Sequence, residues 1–132
     1  MRLAWTIVYV PDVPAALAFW ERAFGFSRAF LSDDGDYGEL ATGDTTLAFA
    51  SAGMAAGLGA PVTLASPEAP APGIELALAT EDVEAGYARA VEAGATPVKP
   101  PTAMPWGQVV SYVRDPNGVL VEICTPIEPA AG

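Results

Sequence analysis

An Asp-Val dipeptide stands at positions 12–13 and again at 82–83, seventy residues apart, and each copy sits between an apolar run and a helical pattern. Self-similarity at a fixed offset marks a duplicated structural unit and governs every other assignment. Residues 3–10 read Leu-Ala-Trp-Thr-Ile-Val-Tyr-Val, and residues 73–80 read Gly-Ile-Glu-Leu-Ala-Leu-Ala-Thr. Both suit strands. The Asp that follows is placed to cap a helix by accepting from a free N–H of the first turn, and Pro14 favours helix initiation in the first copy. Gly25 and Gly94 stand where a left-handed residue would end each helix. Leu17, Trp20 and Phe24 fall at helical spacing in the first copy, and Val83, Tyr87 and Val91 in the second; Trp20 and Phe24 read as core or dimer contacts.

Three short strand-like runs follow each helix: residues 27–32, 37–41 and 45–50, then 96–99, 108–114 and 119–124. Their turns are rich in Gly, Asp, Asn and Pro. Each half is thus expected to be β-α-β-β-β. The chain reads as an α+β protein, one domain over 1–132, with a first module at 3–50, a linker at 51–72, a second module at 73–125 and a loose tail at 128–132. The linker is rich in Ala, Gly and Pro; Met54 and Leu58 within it would suit an apolar lid.

Sixteen acidic residues against six basic ones give a formal net charge of −10, shared by both halves. Such a surface repels phosphate backbones, and the basic residues are scattered singly, so nucleic-acid binding is not expected. The single cysteine, Cys124, excludes an intramolecular disulfide and suits a reducing compartment. No secretory leader pattern or membrane-length apolar run is present, so a cytoplasmic protein is expected. The absence of histidine removes the commonest metal ligand and neutral-pH base. Cys124, with no histidine partner, reads as a small buried hydrophobe rather than a nucleophile.

Alternation along strands assigns faces. Ile74, Leu76 and Leu78 belong to the helix side, which leaves Glu75 on the other side. In the last strand Glu122 shares the side of Leu120 and Cys124. Two neighbouring carboxylates raise one another's affinity for a proton, so Glu75 and Glu122 are candidates for a general acid/base pair or a cation receptor. Glu122 sits in an apolar run and needs a partner there, for which Gln108 and Tyr112 are nearest. The repeat makes Trp5 the counterpart of Glu75, and Ala48 that of Glu122. Tyr37 and Glu39 are assigned to the same side as Trp5, and Trp106 to an exposed loop.

These features together (paired β-α-β-β-β units, Val-Pro-Asp-Val before an Ala-rich helix ending Ala-Phe-Gly-Phe, and Tyr-Val-Arg-Asp-Pro-Asn-Gly-Val-Leu-Val-Glu-Ile near the end) resemble the vicinal-oxygen-chelate superfamily of glyoxalases, bleomycin-resistance proteins and extradiol dioxygenases. The resemblance spans residues 3–125. It implies mixed sheets curled around a cavity, often in a homodimer. In metal-using members the ligands come from the first and last strands of each module. Carried over, those positions hold Trp5, Ala48, Glu75 and Glu122. Neither Trp5 nor Ala48 offers a side-chain donor, and two carboxylates fall short of a catalytic zinc or iron site. No cofactor is expected; if a divalent ion (Mg, Mn, Zn or Fe) binds, Glu75 and Glu122 hold it.

Three functions stay open. One is metal-independent sequestration of a small organic molecule, cationic or aromatic, with Trp5, Tyr37 and Trp106 stacking, Glu39, Glu75 and Glu122 orienting its polar groups, and Gln108 and Tyr112 also lining the site. A second is a divalent-metal-dependent lyase, isomerase or dioxygenase acting on a small oxygenated metabolite. The third is a structural dimer whose cavity is plugged by Trp5 and Phe49.

Overall fold

The computed structural model of the chain describes residues 1–127; the tail expected at 128–132 lies outside them. The chain divides into two compact units, Met1–Ala65 and Ser66–Gly132, and both are α+β. The first contains β1 (Trp5–Val10), α1 (Val13–Phe24), β2 (Arg28–Leu31), β3 (Tyr37–Leu40), β4 (Thr46–Ser51) and a short α2 (Ala52–Ala56); the second contains β5 (Glu75–Ala79), α3 (Val83–Glu92), β6 (Thr96–Ala103), β7 (Val109–Arg114) and β8 (Leu120–Cys124). The sheet orders are β1-β4-β3-β2 and β5-β8-β7-β6. In each, the first and last strands run parallel while the remaining neighbours are antiparallel. The β-α-β-β-β duplication is therefore real, down to opening strands that start at residues 5 and 75.

Local chemistry explains the helix ends. Asp12 Oδ1 accepts from the Ala15 N–H and Asp82 Oδ1 from the Ala85 N–H, both at 3.0 Å, so each Asp satisfies a donor with no intrahelical partner. At the end of α1, Gly25 takes the left-handed conformation (φ +79°), and its N–H returns to Glu21 O. The second helix closes one residue later: Ala93 stays right-handed, Gly94 swings to φ +116°, and the Ala95 N–H bonds to Ala90 O at 3.0 Å.

Each helix covers one face of its own sheet. In the first unit Val10, Leu17, Trp20, Leu40, Leu47 and Phe49 are buried. Trp20 stands at the centre of this core, its ring centroid 4.5 Å from Phe24, 6.2 Å from Phe26 and 5.9 Å from Phe49. A Cβ on Gly38 would lie 2.5 Å from Leu17 Cδ1, which places Gly38 on the helix side and its neighbours Tyr37 and Glu39 on the other. Phe49 also faces the helix. It cannot plug the opposite side together with Trp5, as a filled cavity would require, because its register partner Gly38 lies on the helix side of β3. In the second unit the covered face is aliphatic, with Val83, Ala90, Val113, Val121 and Ile123 buried. Buried Ser111 directs its hydroxyl onto Ile123 O at 2.9 Å. Among the described residues no buried side-chain N or O lacks a hydrogen-bond partner.

Two elements differ from the sequence expectation. The interval expected as a linker opens with α2, capped by Ser51, whose Oγ accepts from the Met54 N–H at 3.2 Å. β6 runs on to Ala103 through Pro100 and Pro101 instead of ending at Lys99. Proline removes a ladder donor and is tolerated on an edge strand; β6 is one, and its pairing with β7 slips at Pro97/Lys99 and Lys99/Thr102. No helix among the described residues is long and apolar enough to cross a membrane.

Candidate functional site

Opposite its helix, each sheet carries a polar cluster. On the first sheet β4 separates β1 from β3, so a side chain on β1 must cross about 10 Å to reach one on β3. Trp5 does so. Its indole Nε1–H donates to Glu39 Oε2 at 3.0 Å, and the Tyr37 hydroxyl donates to the same oxygen at 2.6 Å. On the intervening strand this face offers Thr46 beside Trp5 and then Ala48 beside Glu39, whose small side chain leaves room for the indole. Phe30 joins from β2: it stands directly opposite Glu39 in register, with its ring centroid 6.3 Å from that of Tyr37. Trp5 remains 54% exposed and Phe30 50%. Trp5 is thus half open to solvent rather than a buried plug. The Tyr37 phenol is pushed up to about 12 by burial and by its bond to Glu39, so it stays a donor at any physiological pH.

On the second sheet Ala77, Glu122 and Tyr112 lie abreast on β5, β8 and β7. The Tyr112 hydroxyl donates to Glu122 Oε1 at 2.5 Å. Tyr112 is therefore the partner that Glu122 requires in its apolar strand. Gln108 is not: its amide N–H donates to Thr125 O and its carbonyl accepts from Trp106 Nε1, each at 2.9 Å. The Glu122 bond, with burial added, raises Tyr112 to about 12. Glu75 shares this face. Glu75 is exposed overall, yet local desolvation of its carboxyl, then the charge and hydrogen-bonding reach of Glu122, lift it above the ordinary carboxylate range. Cys124, one alternation beyond Glu122, is pushed up to about 11, mainly by burial; a thiol held so far from ionisation is a poor nucleophile.

The structure thus brings together Trp5, Tyr37 and Glu39 in one unit, and Glu75, Tyr112 and Glu122 in the other. Trp106 and Gln108 pair with each other at the β6–β7 turn, where Trp106 is exposed. Sequence reasoning missed Phe30, although the turn-forming Ser-Asp-Asp-Gly-Asp between β2 and β3 announces a hairpin that sets it across from Glu39.

Comparison with known proteins now decides the family. The model of the glyoxalase/bleomycin resistance protein/dioxygenase superfamily matches residues 2–123. The chain belongs to this superfamily. Solved structures agree on the fold. A glyoxalase-related enzyme from Fulvimarina pelagi is 22% identical with a TM-score of 0.82, the match covering 100% of this chain and 95% of that one. TioX from Micromonospora sp. ML1 is 23% identical with a TM-score of 0.72 (96% and 100% covered). A superfamily enzyme from Burkholderia phytofirmans PsJN is 20% identical with a TM-score of 0.75 (96% and 100% covered). Among curated proteins none matches significantly.

The metal that many superfamily members use does not fit these side chains. Trp5 and Ala48 occupy two of the four ligand positions and offer no donor. At the other two, Glu122 raises the Glu75 carboxyl, and the adjacent Tyr112 and Cys124 are held protonated. Among the described residues no group of three or more His, Cys, Asp or Glu side chains is disposed to hold a metal ion.

The carboxylate pair sets a pH dependence with a definite sign. Glu75 binds its proton more tightly folded than unfolded, so its contribution to stability is full below its unfolded value near 4.5 and is lost as pH rises through the raised folded value. Glu75→Gln removes the repulsion, and at pH 7 the variant should be more stable than wild type, by about 0.3 kcal/mol because solvent screens the exposed side chain. The gap should shrink as pH falls towards 4. Urea melts between pH 4 and 8 test this; a variant less stable at pH 7, or a gap that ignores pH, would mean that the two carboxylates do not interact.

Proposed function

We propose that this superfamily member binds a small organic molecule, aromatic and cationic, and does so without a metal. One observation carries the reading: Trp5, at a metal-ligand position of the superfamily, is instead a half-exposed indole whose N–H is tied to a carboxylate. The exposed ring supplies rigid contact area and the carboxylate supplies charge, which is the combination a planar cation requires. The net charge of −10 favours accumulation of such a ligand. Tyr37 joins Trp5 in stacking. Glu75, Glu122 and Tyr112 orient polar groups, and Trp106 with Gln108 offers a second aromatic contact with a fixed amide. The reading extends to a homodimer in a reducing, cytoplasmic compartment, where the single thiol of Cys124 stays reduced.

The test is titration of the purified protein with basic aromatic compounds while following tryptophan fluorescence. Saturable quenching is expected, with a Kd on the order of 1 μM for a well-fitted ligand, weakened about tenfold in Glu39→Gln. Absence of quenching by every compound would refute sequestration.

The raised carboxyl of Glu75 favours one other reading: an enzyme in which Glu75 delivers a proton and Glu122 receives one. A metal-dependent lyase, isomerase or dioxygenase would need a third ligand from elsewhere. Stoichiometric metal in protein purified without chelators, lost in Glu122→Gln, would replace the binding reading with that one.

A further inference from the structure

We infer that the Glu39 carboxylate, framed by Trp5, Tyr37 and Phe30, is a subsite for a tertiary ammonium group, which places its single N–H on Oε1 and its alkyl arms against the rings. The inference rests on the binding reading above and specifies the chemistry of the cation.

The two oxygens of Glu39 are not equivalent. Oε2 accepts from both Trp5 Nε1 (3.0 Å) and Tyr37 OH (2.6 Å). A carboxylate oxygen has about two lone-pair directions, so Oε2 is filled. Oε1 accepts no hydrogen bond, and Glu39 forms no ion pair, among the described residues; the ion pair of this unit is Arg28 with Glu21 at 2.7 Å. Because both donors come from rings, the arrangement also fixes where apolar surface stands around the open oxygen. Phe30, across the ladder from Glu39 and half exposed, adds a third ring.

One open acceptor among three rings selects among cations by their count of N–H groups. A guanidinium seeks both carboxylate oxygens in parallel, and here one is already taken. A primary ammonium brings three N–H groups to one acceptor, and the rings around it offer the other two no hydrogen-bond acceptor. A quaternary ammonium enjoys the ring faces but leaves Oε1 without a donor. A tertiary ammonium matches both features: one N–H for Oε1, and polarised alkyl carbons for the aromatic faces. The cluster on the second sheet lacks this character. There Glu122 faces another carboxylate, and among the described residues Tyr112 is the one ring bonded to it.

The test compares four cations on one naphthylmethyl frame (dimethylammonium, trimethylammonium, primary ammonium and guanidinium) by isothermal titration against the full-length protein. The dimethylammonium form should bind tightest, about tenfold tighter than the guanidinium. The margin should vanish in Glu39→Gln. Phe30→Leu, a milder change on an exposed ring, should weaken the dimethyl and trimethyl forms together, and more than the guanidinium. Guanidinium binding as tightly as dimethylammonium, or none of the four binding while larger basic aromatics still quench fluorescence, overturns the subsite and leaves the binding reading standing. No binding by any compound overturns both.

Discussion

Replacing Trp20 with alanine should cost about 4 kcal/mol of folding stability, the range for emptying a fully enclosed large aromatic site. Trp20 has no solvent exposure, and Phe24, Phe26 and Phe49 surround it. Phe24 at the end of the same helix, Phe26 just beyond it and Phe49 on β4 cannot collapse into the vacated volume without leaving their own contacts. For a chain of this length the melting temperature should fall by about 15 °C. Against a total stability of about 5–15 kcal/mol, that is roughly a quarter or more of what holds the native state. Trp106 supplies the internal control. It is 63% exposed, and its change to alanine should stay within about 0.5 kcal/mol. Calorimetric melts of the two variants side by side decide the matter; a Trp20→Ala loss below about 1.5 kcal/mol would remove Trp20 from the load of the core.

Gly118→Ala should be nearly as severe, at about 3 kcal/mol, for two reasons that add. Gly118 closes the β7–β8 turn at φ +89°, where an L side chain is strained. The new Cβ would also meet backbone, with Ser66 C and O both 2.6 Å away and Arg114 Nη2 at 2.8 Å. That crowding has a cause: Arg114 Nη2 bridges Gly118 O and Ser66 O at 2.9 and 3.0 Å, drawing the Ser66 segment onto the turn. The buried Asp115 carboxylate holds the same turn by accepting from the Asn117 and Val119 N–H groups at 2.9 Å. Gly43 separates the two contributions. It has φ +96° with open space around the added carbon, so Gly43→Ala should cost only the backbone part, about 1–2 kcal/mol. Equal losses at the two glycines in chemical denaturation would show that Ser66 does not pack against the turn.

What the sequence made legible follows from the range of the interactions involved. Asp12, Asp82 and Gly25 act on residues within one helical turn, so their roles can be read from spacing. The side assigned to Glu75 and Glu122 follows from strict strand alternation, and the match of Tyr112 to Glu122 from adjacency of β7 and β8 in a hairpin. The Trp5–Glu39 bond could not be read in this way. It crosses a whole intervening strand, and it depends on β4 being inserted between β1 and β3 and on Ala48 being small. Phe49, by contrast, is legible from alternation: Ala48 stands at the counterpart of Glu122, so its neighbour Phe49 faces the helix, as its pairing with Gly38 shows. The extension of β6 through Pro100 and Pro101 escaped a propensity reading because it is permitted only by its edge position, a tertiary fact. α2 escaped because Ser51 ends a strand and caps a helix at once.

The claim that the open face of the first sheet receives a basic aromatic ligand is tested most directly by the indole N–H resonances of the three tryptophans, assigned by single Trp→Phe variants, during titration with dimethyl(naphthylmethyl)ammonium. The Trp5 resonance, whose proton lies on Glu39, should move progressively and saturate, while that of Trp20, enclosed on the far side of the sheet, should stay in place. A Trp5 signal that does not shift at ligand concentrations saturating by calorimetry would contradict the account.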